Sequence, residues 1–89
     1  MGINSKNHST FSFTFKAADT DARITYFVKP VGAKYTDPAE EREEVVVKAG
    51  DTGSFTFDCS NSQAVTLSIV KDGTIGNFAE GWITNITLS

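Results

Sequence analysis

The side chains that could perform nucleophilic or acid–base chemistry are few in this sequence. It contains one cysteine, Cys59, and one histidine, His8. A cysteine and a histidine form a catalytic nucleophile and base only when the fold holds them together. The residues around His8 show no hydrophobic period, so this histidine is expected to be mobile. Cys59 continues the alternating register of Phe55 and Phe57 and is expected to be a small buried side chain. The sequence therefore predicts a protein that is not an enzyme.

Motifs for metals and cofactors are equally sparse. The sequence has no glycine-rich loop that would cradle a phosphate and no His/Cys set with zinc-ligand spacing. Asp19 and Asp21 could contribute carboxylates to a calcium site, but aspartate is also an ordinary turn residue that hydrogen-bonds its own backbone. We predict no cofactor and no metal site, and we leave calcium binding at this turn open.

An acidic run occupies residues 37–44, where five carboxylates accompany one arginine. Such a run is usually a solvated surface. It could also form a rim that meets a basic partner, or it could discourage sheet edges from pairing with one another. The candidate binding residues in this run are its four glutamates, Glu40, Glu41, Glu43 and Glu44.

Two aromatic residues are further candidates for a binding surface. Phe27 occupies the outward register of its predicted strand, and Tyr35 lies in a predicted loop. Exposed aromatic rings can stack against a sugar or anchor a protein partner. Trp82 shares a register with Ile86 and Leu88, and we expect these three residues to face the core.

Charge and composition limit the class of partner and the location. The net charge of −3 and pI near 4.9 disfavour nucleic acid. No apolar run approaches the roughly 18 residues of a membrane span. One cysteine excludes an intramolecular disulfide. Ser and Thr supply 19 of the 89 residues, which slightly favours an extracellular or particle-surface location. The chain shows no signal peptide, and its localisation is otherwise left open.

The elements that must position these residues are predicted to be strands. Val, Ile and Thr account for 24 of the 89 residues, and apolar side chains alternate with polar ones along most of the chain. We predict a disordered leader over residues 1–8 and one domain over residues 9–89. The N-cap pattern beginning at Asp37 predicts a short helical segment of one or two turns. The pair Asp72-Gly73 predicts a tight hairpin with a type I′ turn.

Six to seven short strands with closely spaced turns predict an all-β, antiparallel β-sandwich. The segment 45–57 resembles a strand-turn-strand unit that is common in immunoglobulin-like modules, and the resemblance implies an immunoglobulin-like sandwich. It implies no activity, and the Cys…Trp…Cys framework of immunoglobulin domains is absent.

Two functions from different classes follow from these observations. The first is a non-enzymatic binding module that recognises a protein or a carbohydrate through loops and exposed aromatics. The second is a self-assembling structural protein whose edge strands pair between subunits, and a homo-oligomer is therefore left open.

Overall fold

The computed structural model describes residues 2–74 and 77–89, which form two antiparallel β-sheets. One sheet has the strand order β1-β6-β3-β4, and the other has the order β5-β2-β7. The prediction of an all-β, antiparallel fold is confirmed. The strands are β1 (Gly2–Asn4), β2 (Thr10–Ala17), β3 (Ala22–Pro30), β4 (Glu40–Val47), β5 (Thr52–Asp58), β6 (Ser62–Lys71) and β7 (Gly81–Leu88).

The inner faces of the two sheets share one hydrophobic core, which is the arrangement of a β-sandwich. Strand β2 contributes alternate phenylalanines, because successive side chains of a strand point to opposite faces. The Tyr26 ring of β3 stacks on the Phe57 ring of β5 at a centroid distance of 4.5 Å, which joins the two sheets. The buried apolar residues are Phe11, Phe13, Phe15, Ala17, Ala22, Ile24, Tyr26, Val28, Val47, Phe57, Cys59, Val65 and Leu67.

The N-terminal segment contributes to this structure, where the sequence predicts a disordered leader. β1 pairs with β6, and Ile3 packs against the core. The Ser5 side chain is fully buried and hydrogen-bonds to the hydroxyl of Ser62. A strand of three residues is too short to show a period in the sequence, so its pairing depends on the open edge that β6 offers.

The predicted helical turn at Asp37 is wrong. The Asp37 carboxylate accepts a hydrogen bond from the backbone N–H of Lys34 at 2.8 Å. This bond closes a turn over residues 34–37, which precedes the strand. Strand β4 begins three residues later at Glu40 and pairs with β3. The four glutamates of the acidic run therefore lie in a strand, because the backbone hydrogen bonds that β3 offers outweigh a weak local helical preference.

The Asp72-Gly73 turn differs from the predicted type I′ hairpin. Gly73 has a φ of 82°, but Asp72 does not have a positive φ, and both central residues of a type I′ turn require one. The backbone N–H of Lys71 donates to the carbonyl of Asn77 at 2.8 Å, whereas a two-residue hairpin loop at Asp72-Gly73 requires it to donate to Thr74. Ile75, which flanks the predicted hairpin, lies outside the described residues.

Candidate functional site

The outer face of the sheet β5-β2-β7 carries a regular array of hydroxyl side chains with one tryptophan. The ladder registers place these side chains in three rows that cross all three strands. Neighbouring strands lie about 4.8 Å apart, and successive outward residues of a strand lie about 6.8 Å apart. From one end of the face to the other, the rows are Thr52–Lys16–Trp82, Ser54–Thr14–Thr84 and Thr56–Ser12–Thr87.

Trp82 lies on this outer face, and the prediction that it faces the core is wrong. Its side chain is 59% exposed, whereas Ile83 packs against the core. Asn85 has a φ of 55°, and the register between β2 and β7 shifts beside it. This bulge adds one residue to β7 and reverses the alternation. Leu88, beyond the bulge, packs inward as predicted.

Lys16 stands beside Trp82 in the first row. Its Nζ lies 5.9 Å from the centroid of the indole ring, within the range of a cation–π interaction. The two residues are also direct ladder neighbours on β2 and β7. The interaction restrains the indole at one end of the face while leaving more than half of it exposed to solvent.

The second and third rows each contain one hydrogen-bonded hydroxyl pair that joins β2 to β5. Ser12 and Thr56 are 3.1 Å apart, and Thr14 and Ser54 are 3.0 Å apart. A hydroxyl has one donor and two acceptor sites, so a pair that shares one hydrogen still offers one donor and several acceptors. These restrained hydroxyls can meet the hydroxyls of a ligand, while the Trp82 ring can meet its apolar face.

The predicted aromatic residues do not belong to the Trp82 face: Phe27 lies on β3 of the other sheet, and Tyr35 lies in the loop between β3 and β4. Phe27 is half-buried on the outer face of β3, opposite Glu41 of β4 and Thr66 of β6. Tyr35 is 96% exposed in the loop that precedes β4. The Nζ of Lys29 lies 5.7 Å from the Tyr35 ring centroid and donates to the Tyr35 carbonyl at 2.9 Å.

The predicted acidic residues all lie on β4, which is an edge strand. Glu41 pairs with Phe27 and Glu44 pairs with Thr25, so both belong to the outer face. The register places Glu43 and Glu40 on the inner side, where they are nevertheless exposed. Glu40 forms an ion pair with Arg42 at 3.0 Å. Charges that point inward along an edge strand oppose pairing with another chain.

The two buried side chains with raised pKa values, Tyr26 and Cys59, belong to the core of the fold. Burial raises the pKa of Tyr26 to about 12, and its hydroxyl donates to the backbone carbonyl of Asp58. Burial also raises the pKa of the Cys59 thiol, with a smaller contribution from the Asp58 carboxylate. Cys59 is fully buried, so the prediction of its burial is confirmed.

Two aspartates hold turns. The backbone N–H of Ala49 and the ammonium of Lys48 lower the pKa of Asp21, whose carboxylate accepts hydrogen bonds from both groups. Hydrogen bonds from Ser60 lower the pKa of Asp58. Over residues 2–74 and 77–89, His, Cys, Asp and Glu side chains form no group of three or more that could hold a metal ion.

Sequence reasoning missed the Trp82 face because the Asn85 bulge reverses the register of β7. Two signals are present: the polar residues of β2 and β5 already predict one hydroxyl face, and asparagine is the residue other than glycine that most readily takes a positive φ.

The part of the chain that the structure describes contains no helix with the length and apolar character of a membrane span. Comparisons of this chain with protein-family models, with curated proteins and with solved structures find no match.

Proposed function

We propose that this protein is a non-enzymatic carbohydrate-binding module whose binding site is the outer face of the sheet β5-β2-β7. The observation that carries the proposal is the position of Trp82, which is 59% exposed at one end of a face made of serine and threonine. A sugar ring has an apolar C–H face and a polar rim. This surface offers a complement to each of them.

The Trp82 side chain supplies the apolar part of the site. An indole offers a large, flat and rigid surface, and its N–H can also donate a hydrogen bond. Lys16 restrains the ring, which reduces the conformational entropy that is lost when a ligand binds.

The hydroxyl pairs supply the polar part. Ser12–Thr56 and Thr14–Ser54 are already held in place by their mutual hydrogen bonds and by the ladder beneath them. Since rows repeat about every 6.8 Å along the strands, an extended glycan can contact more than one row. Lys16 is the only charged residue in the three rows, so the face can accept a neutral or an acidic sugar.

A protein partner is the second candidate, and a different surface supports it. Phe27 and Glu41 are ladder neighbours on the outer face of the other sheet, and Tyr35 extends from the nearby loop. An aromatic anchor beside carboxylates suits a basic protein surface. The Trp82 face is rich in hydroxyls and has Lys16 as the only charged residue of its three rows, which favours the carbohydrate.

We infer that the sandwich is related to the immunoglobulin-like architecture, with its terminal strands exchanged. The pairings β2–β5 and β3–β6 correspond to the B–E and C–F pairings of immunoglobulin domains, and β4 lies where strand C′ would lie. In those domains the first strand pairs with B and the last with F. Here β7 pairs with β2, and β1 pairs with β6.

Trp82 is the only tryptophan of the chain, so its fluorescence reports directly on this site. Glycans selected on an array of neutral and acidic oligosaccharides are titrated against the protein, and we expect a saturable change in emission. Calorimetry with the same glycans should show binding that Trp82→Ala abolishes and that the matched control Tyr35→Ala retains. No binding to any glycan, or binding that depends on Tyr35 and not on Trp82, would reject the proposal.

A further inference from the structure

We propose that this protein forms a two-fold symmetric dimer in which β7 pairs antiparallel with β7 of a second copy, with Ile83 at the symmetry axis. The inference depends on the backbone register of β7 and on the apolar surface beside it. It does not depend on carbohydrate binding.

The hydrogen bonds of β2 show which backbone groups of β7 are free. Residues of β2 bond alternately to its two neighbours, as in every antiparallel ladder. Ala17 bonds on the β5 side, through its N–H to the carbonyl of Asp51 at 3.0 Å. Ala18 bonds on the β7 side, through its N–H to the carbonyl of Glu80 at 3.0 Å. The even-numbered residues of β2 therefore bond to β7 over this part of the ladder.

This alternation places the backbone of Ile83 at the open edge. Trp82 and Thr84 pair with even-numbered residues of β2, so their N–H and C=O groups point toward β2. The N–H and C=O of Ile83 point the other way. β7 is the last strand of its sheet, and within the described chain no strand covers this edge. An unpaired row of backbone groups is a template for another strand.

In this register, side chains of the same sheet face lie opposite each other in the two copies. If Ile83 stands opposite Ile83 of the second copy, then Trp82 stands opposite Thr84. The inward-facing Ile83 side chains meet on the core side, and Trp82 and Thr84 both stay on the outer face. A slip of one residue would place Trp82 opposite Ile83 and mix the two faces, so this pairing is self-complementary.

An apolar cleft beside β7 supplies surface area that a dimer would bury. It opens between the two sheets and has a volume of about 400 Å³. Phe78, at its rim, is 83% exposed. The Asn85 bulge limits the regular ladder to the first half of β7, so the dimer also needs this apolar contact. The apolar residues that line the cleft are Phe15, Leu67, Ile69, Phe78, Ala79 and Ile83.

Charge favours this edge over the other ones and favours a second copy as the occupant. β7 has no charged residue over Gly81–Leu88, whereas β4 carries four glutamates and one arginine. The β5 edge lies beside β4, since a Cβ on Gly53 of β5 would lie 3.4 Å from the Val47 side chain of β4. Pairing through β5 would therefore bring the acidic β4 strands of the two copies close together. β1 has only three residues. An isologous contact at a single edge closes as a dimer and does not extend into a fibre.

Pairing through β7 would join the two outer faces into one six-stranded surface with both Trp82 side chains near its centre. A multivalent glycan could then contact both copies, which raises its apparent affinity without any new contact.

Sedimentation velocity from 5 µM to 1 mM protein tests the proposal, with the variants Phe78→Asp and Tyr35→Asp. Both changes place a carboxylate at an exposed aromatic position, so both variants should remain folded by circular dichroism. We expect a dimer for the native protein and for Tyr35→Asp, and at least a tenfold weaker dimer for Phe78→Asp. A monomer at every concentration, or equal weakening by both variants, would overturn the proposal.

Amide hydrogen exchange tests the register separately. In the monomer, the amides of Trp82 and Thr84 are protected by β2, and the amide of Ile83 is open. We expect the Ile83 amide to become protected as the native protein dimerises and to stay unprotected in Phe78→Asp. A dimer in which the Ile83 amide exchanges as fast as in the monomer would overturn pairing through this edge.

Discussion

The hydroxyl of Tyr26 donates a hydrogen bond to the backbone carbonyl of Asp58, which connects β3 of one sheet to the end of β5 in the other. The Tyr26 ring stacks on Phe57 in the same region. One side chain therefore contributes both an apolar and a polar contact between the sheets, next to the buried thiol of Cys59.

Stability should fall between pH 10 and 12 because of Tyr26. Its pKa is about 12 in the folded protein, against 10.0 for an unperturbed tyrosine, so the folded state keeps a proton that the unfolded chain loses. The contribution is fully present below pH 10 and is lost as pH rises through the folded value. Urea midpoints of the native protein should decline over this range more steeply than those of Tyr26→Phe. Parallel declines would contradict the assignment.

Cys59 should be unreactive in the native protein. It is fully buried, burial raises the pKa of its thiol, and the thiolate is the reactive form. Titration with Ellman's reagent should show little reaction without denaturant and one thiol per chain in urea. Fast labelling of the folded protein would mean that the end of β5 opens readily.

Ser62→Ala should destabilise the protein by about 1 to 3 kcal/mol, because it removes the partner of two buried polar groups. The Ser62 hydroxyl bonds to the Ser5 hydroxyl and donates to the Cys59 carbonyl. The comparison variant is Ser60→Ala, which removes only one solvent-exposed hydrogen bond, to the Asp58 carboxylate, in the same turn. Urea unfolding of both variants measures the difference, and equal midpoints would show that Ser5 and Ser62 are not buried together.

Gly73→Val should cost on the order of 1 to 2 kcal/mol, because a β-branched residue resists the positive φ of 82° at this position. An added Cβ would contact nothing within 4 Å, so the cost comes from the backbone alone. Gly2→Val, where φ is not positive and the space is also open, is the control. A Gly73→Val variant that unfolds with the native protein would show that this turn relaxes freely.

Gly81→Ala should weaken the pairing of β2 with β7 through a different mechanism. A Cβ at this position would lie 2.3 Å from the backbone carbonyl oxygen of Lys16, and backbone cannot move aside as a flexible side chain can. Overpacking of this kind costs about 1 to 3 kcal/mol. Thermal unfolding should show a lower midpoint, and faster amide exchange at Trp82 and Thr84 should localise the damage to this ladder. Unchanged exchange there would contradict the close approach.

Sequence alternation is sufficient to predict the strands in which no bulge interrupts it. Phe11, Phe13 and Phe15 alternate with polar residues, and this period of two predicts both the strand and its inner face. Cys59 is assigned correctly because no bulge separates it from Phe55 and Phe57. The acidic run and the exposed Tyr35 are also surface features in the structure, since charge and loop position indicate exposure without any knowledge of the partner strands.

The pairing of the strands and the position of the register break depend on contacts between distant segments of the chain. The Asp37 segment became a turn followed by an edge strand because β3 offered backbone hydrogen bonds that the local sequence does not contain. Trp82 lies on the outer face because the bulge at Asn85 adds one residue to β7, so side chains before the bulge face the opposite way from the prediction. A pattern that assumes a continuous strand cannot include that extra residue. The candidate site depends on this reversal: the hydroxyls of β2 and β5 were visible in the alternation, but their meeting with Trp82 required the ladder between distant segments of the chain.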